Sequence, residues 1–79
     1  MEPKIEECCD KLRKDILGLA KAVKSLMQHS DFKDEQAYPG QHGEMKANIM
    51  LTYRHLEDAR MRVGKILQAA GDGVSILDK

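Results

Sequence analysis

Two apolar stripes, each stepping by fours and threes without a break, leave this chain few folds to adopt. The first is Ile5, Cys9, Leu12, Ile16, Leu19, Val23 and Leu26; the second is Met45, Ile49, Thr52, Leu56, Ala59, Val63, Ile66 and Ala70. Steps of three and four keep side chains on one side of a helix with 3.6 residues per turn, so each stripe marks an amphipathic helix packed on another. Pro3 and the acidic residues Glu2, Glu6, Glu7 and Asp10 suit the opening of the first helix. Between the stripes the period stops and turn formers gather. Tyr38-Pro39-Gly40 reads as a turn, with proline fixing φ and glycine supplying a positive one. The pattern predicts a helix over about 3–28, a loop over 29–42, a helix over about 43–70 and a flexible tail over 71–79, with Gly71 as a left-handed cap. The fold class is all-α, an antiparallel helical hairpin.

A chain of 79 residues forms one domain, and its core is marginal when it folds alone. One Phe, two Tyr and no Trp leave the packing to aliphatics and Met. Apolar residues also lie off the stripes: Leu17, Ala20 and Met27 on the first helix, and Met50, Leu51, Tyr53, Met61 and Leu67 on the second. Two helices cannot bury two faces each, so this off-stripe set is expected to form a subunit interface in a homo-oligomer. In the tail, Val74, Ile76 and Leu77 are expected to dock on a neighbour.

Thirteen Lys and Arg balance thirteen Asp and Glu. That balance argues against a DNA or RNA polymer as partner, since such binders carry a basic excess. No apolar run reaches the roughly 18 residues of a membrane span, and no secretory signal opens the chain. Adjacent Cys8 and Cys9 point about 100° apart on a helix and do not bridge readily. The expectation is a reduced, intracellular protein without a membrane partner.

No constellation of nucleophile, base and orienting group stands out, so no enzyme activity and no catalytic residue is expected. His29, Asp31, Asp34, Glu35, His42 and Glu44 gather in the loop region without the spacing of a metal site, and neither metal nor cofactor is expected. The densest functional signal is Arg54-His55-Leu56-Glu57-Asp58-Ala59-Arg60-Met61-Arg62-Val63-Gly64-Lys65. One reading is structural: Arg54 pairs with Asp58, and Asp58 with Arg62, at i, i+4 spacing. That leaves Gly64 unexplained, because glycine inside a helix costs about 1 kcal/mol against alanine. Arg60, Gly64 and Lys65 instead suggest a phosphate held by two cations where a bare backbone makes room. Arg54 and His55 would extend that wall, Arg62 would add charge, and Tyr53 offers a face for base stacking.

The run Leu56 to Leu67 resembles the helical-hairpin domain of phage anti-CBASS and anti-Thoeris nucleotide sponges, the compact anti-CBASS branch most of all. The similarity is strong over about residues 45–70 and one of pattern over the first helix. It implies a non-enzymatic protein, typically a homohexamer, that sequesters cyclic oligonucleotide immune signals (cyclic dinucleotides, trinucleotides or both) in the cytoplasm of the infected bacterial host. Arg60, Gly64 and Lys65 match the family's motif. The family's N-terminal stacking aromatic has no counterpart, since no aromatic precedes Phe32. A first-helix lysine (Lys4, Lys11 or Lys24) would complete the phosphate contacts. Competing expectations are a sponge for cyclic ADP-ribose-type signals, a hairpin adaptor that docks a partner helix, and a small helical nucleic-acid regulator.

Overall fold

The computed structural model describes residues 2–71. Helix α1 spans Ile5–Ser25 and helix α2 spans His42–Ala70, antiparallel to each other, with two short 3₁₀ turns at Leu26–Gln28 and Ser30–Lys33 between them. No strand occurs among the described residues. The hairpin is a rod of 54 × 27 × 17 Å. The last turn expected of α1 tightens to 3₁₀. There Ser25 Oγ donates 2.6 Å back to Ala22 O, a local bond that competes with the α-helical ladder.

The connection is held by its own side chains. His29 Nδ1 accepts from Asp31 N–H at 3.1 Å, and Asp34 Oδ1 accepts from Gln36 N–H at 2.9 Å. Phe32 meets the His42 ring edge-on, with centroids 5.4 Å apart, and the Lys46 ammonium sits 5.2 Å from the Phe32 centroid. Gln41 N–H closes a turn on Tyr38 O at 3.0 Å. Gly40 takes φ +80°, the conformation expected at the third position of a type II turn after proline. Tyr38 also has positive φ, +51°, which costs a residue with a Cβ. At the far end, Gly71 N–H bonds Leu67 O at 3.2 Å with φ −79° and ψ −137°. The cap is therefore not left-handed. Its N–H keeps the helical partner, and the chain leaves through ψ.

The packing draws on both apolar faces: Cys9 of the first stripe is buried, and Ile16, Val23, Ile49, Leu56 and Val63 of the two stripes are half-buried. The buried apolar side chains are Cys9, Ala20 and Leu67, and Gly64 is buried with them. Ala20 and Leu67 belong to the off-stripe set assigned above to a subunit interface. Leu17, Met27, Met50 and Tyr53 of that set are half-buried, and only Leu51 and Met61 remain exposed. Conversely, Ile5, Leu12, Leu19 and Leu26 of the stripe are 46–57 % exposed. The physical reason is size. Helices packed through small residues come closer and gain more dispersion contacts along the seam, and Ala20, Cys9 and Gly64 are the small residues. Filling that seam is destabilising, as is emptying it. Ala20→Leu should lower stability by about 1–3 kcal/mol through overpacking and Leu67→Ala by about 2–4 kcal/mol through a cavity, both read by urea denaturation followed by helical circular dichroism. Leu51→Ala, at an exposed position, should change it by less than about 0.5 kcal/mol.

A cationic seam as candidate functional site

The candidate residues on α2 fall on three lines around the helix. Tyr53, Arg60 and Gly64, spaced seven and four, face the seam and are half-buried or buried. Arg54 and Lys65, three turns apart, lie on a second, exposed line. His55 and Arg62, two turns apart, lie on a third, also exposed. Arg54 and His55 therefore do not extend the wall containing Arg60, since neighbouring residues point about 100° apart. Arg62 and Lys65 share a shallow hollow of 290 Å³ with Asp58 and Met61, on the outer surface of α2.

The ion pairs expected within this run do not form. Among the described residues the close oppositely charged contacts are Lys11 with Asp15 at 2.8 Å and His29 with Asp31 at 3.7 Å. Neither Arg54 nor Arg62 bonds Asp58. The exposed Lys11–Asp15 pair raises the lysine pKa, first through the hydrogen bond and then through the charge of Asp15.

Across the seam, the Lys24 ammonium stands 5.1 Å from the Tyr53 ring centroid. The cation occupies one face of the ring, a contact worth about 0.5–1 kcal/mol at an exposed site. This contact also sets the antiparallel register. Counting away from it along both helices places Arg60 about level with Leu17, and Arg13 about level with Gly64.

Arg13 is the residue that the sequence reading passed over. It is half-buried on the ridge of Cys9 and Ala20. Its Nε is buried and makes no hydrogen bond, and the same is true of Arg60 Nε. Two half-buried arginines thus line the seam from opposite helices, about one turn apart in level, each with its Nε buried and unbonded and with no carboxylate paired to either among the described residues. Glu57, half-buried one turn from Arg60, is the nearest acid along that ridge, yet it forms no ion pair. Buried donors are normally satisfied, and unpaired charge at a seam is costly. Gly64 is buried at about the level of Arg13, where its missing side chain lets the two helices approach. The arrangement can hold an anion with charge-assisted hydrogen bonds. Arg13 had a readable signal: it stands four residues after Cys9 and seven before Ala20, on the ridge with the smallest side chains.

Among the described residues, no group of three or more His, Cys, Asp or Glu is placed to hold a metal ion, and no helix is long and apolar enough to cross a membrane. The loop end carries a larger cleft, 680 Å³, between Val23 and Leu26 on one side and Ile49 and Thr52 on the other, rimmed by Asp31 and Glu44. That acidic rim makes it a poor phosphate site. No family model, no curated protein and no solved structure matches the chain.

The cationic seam has a consequence for stability. An unpaired arginine at a helix seam is kept at the expense of packing, so Arg13→Met should leave the urea midpoint unchanged or raise it in the absence of ligand. A loss of more than about 1 kcal/mol would instead make Arg13 a structural residue.

Proposed function

We propose that this protein is a non-catalytic, homo-oligomeric sponge that sequesters cyclic oligonucleotide signals, acting for a phage against a bacterial immune pathway in the host cytoplasm. The observation that carries the reading is the pair of unpartnered, seam-buried guanidinium Nε atoms of Arg13 and Arg60 in a chain of zero net charge. A neutral chain does not gather phosphates by its overall field, so affinity has to come from a few local cations. The similarity of the run Leu56–Leu67 to the anti-CBASS hairpin supports the choice of a cyclic nucleotide among possible anions. In this reading Arg60 and Arg13 hold phosphate, Gly64 lets the helices carrying them approach, and Tyr53 with Lys24 offers a ring face and a further cation. Lys65, Arg62, Arg54 and His55 lie on outer lines of α2 and reach ligand only if copies assemble so that these lines meet.

Native mass spectrometry with cyclic di- and trinucleotides and cyclic ADP-ribose isomers tests the proposal. The expected result is an oligomer that gains whole ligands and releases them intact on denaturation. Arg60→Ala should weaken binding at least tenfold, about 1.4 kcal/mol, with the oligomer preserved. Hydrolysed ligand, or an oligomer that takes up none of the panel, would overturn the reading.

A further inference from the structure

The cleft at the loop end is built unlike the cationic seam. Val23 and Leu26 around the end of α1, with Met45 and Ile49 in the first turns of α2, give it an apolar floor. Its 680 Å³ falls within the range of small-molecule sites, about 300–1,000 Å³. The polar line that α2 adds is Glu44, Asn48 and Thr52. Asn48 Nδ2 donates to Glu44 O at 2.9 Å and Thr52 Oγ1 donates to Asn48 O at 2.8 Å. The hydroxyl proton and one amide proton are thus spent on the helix's own backbone. What remains is chiefly acceptor: the Glu44 carboxylate, the Asn48 amide oxygen and the Thr52 lone pairs.

The charged residues of the wall are Asp31 and Glu44, and neither is neutralised. Asp31 Oδ2 lies 3.7 Å from His29 Nδ1, but that nitrogen accepts from the Asp31 N–H. A ring nitrogen that accepts carries no proton, so the imidazole beside Asp31 is neutral. Glu44 forms no ion pair among the described residues. Lys24, Lys33 and Lys46 neighbour wall residues along the chain, yet none of them lines the cleft. The helix dipole accounts for an acid at Glu44, in the first turn of α2, but not for a second one on the connection. The aromatic wall is Phe32 and Tyr38. Phe32 already carries the Lys46 ammonium. Tyr38 is held in the left-handed region at φ +51°, is 57 % exposed, and its side chain makes no hydrogen bond or ring contact among the described residues. Backbone strain of this kind gathers at ligand clamps.

We propose that the cleft binds an amphipathic organic cation, an aryl or alkyl ammonium. Its apolar body lies on the floor of Val23, Leu26, Met45 and Ile49. Its charge is met by the Asp31 and Glu44 carboxylates, with the Tyr38 ring as a further attraction for a cation. An anion is repelled by the same two acids, and a neutral molecule leaves them unused. The arginines of the seam take no part, so the inference goes beyond the sponge reading and is independent of it.

Fluorescence titration of the full chain with naphthylmethylammonium, neutral naphthylmethanol and naphthoate tests it, since the three share one apolar body and differ in charge. The ammonium should bind about tenfold more tightly than the alcohol, and the carboxylate should bind most weakly. Asp31→Asn and Glu44→Gln should each weaken the ammonium about threefold and leave the alcohol unchanged, with helical circular dichroism preserved. Glu35→Gln, at an exposed acid of the connection that does not line the cleft, should change neither. Equal affinity for ammonium and alcohol would defeat the inference. So would a Glu35→Gln effect as large as that of Glu44→Gln, or a chain that binds none of the three. None of these results bears on cyclic nucleotide binding, which is read at Arg60.

Discussion

Everything in this hairpin follows from how little of a helix one neighbour can cover. Two antiparallel helices meet along a single line, and here that line is drawn through Cys9, Ala20, Gly64 and Leu67. Small residues at the line let the helices approach closely. The larger side chains are displaced to the flanks, where a hairpin alone has nothing to set against them. The same narrowness explains the arginines. With so little apolar bulk in the seam, Arg13 and Arg60 lay their aliphatic stems into it, and their Nε atoms are buried without partners.

The fold class was legible because both stripes carry an unbroken helical period and the turn at Tyr38-Pro39-Gly40 has its residues in the right order. What was not legible was rotation. A stripe of hydrophobic residues shows which side of a helix avoids water, but each helix here has an apolar arc wider than one neighbour needs. The choice of contact line within that arc fell to Ala20 and Gly64, which hydrophobicity ranks low. Size mattered more than polarity, and the leucines that dominate the pattern ended at the edge of the seam.

The candidate site was half legible for the same reason. Arg60 stood out beside Gly64 in a dense run of charge. Arg13 is flanked by Leu12 and Lys14 and looks like one more solvated cation until its place beside the seam is seen. The charge run itself misled on another point: adjacency along the chain suggested one wall, while helical geometry spreads Arg54, His55 and Arg60 around the axis. The expected i, i+4 pairs gave way as well, consistent with the small worth of exposed ion pairs.

The neighbouring cysteines give the chain two chemical clocks. Cys8 is exposed and Cys9 is 3 % exposed at the heart of the seam. A thiol reagent therefore meets one sulfur at the surface and reaches the other only when the two helices part. The difference between the two alkylation rates reports how often the seam opens, without any probe being introduced.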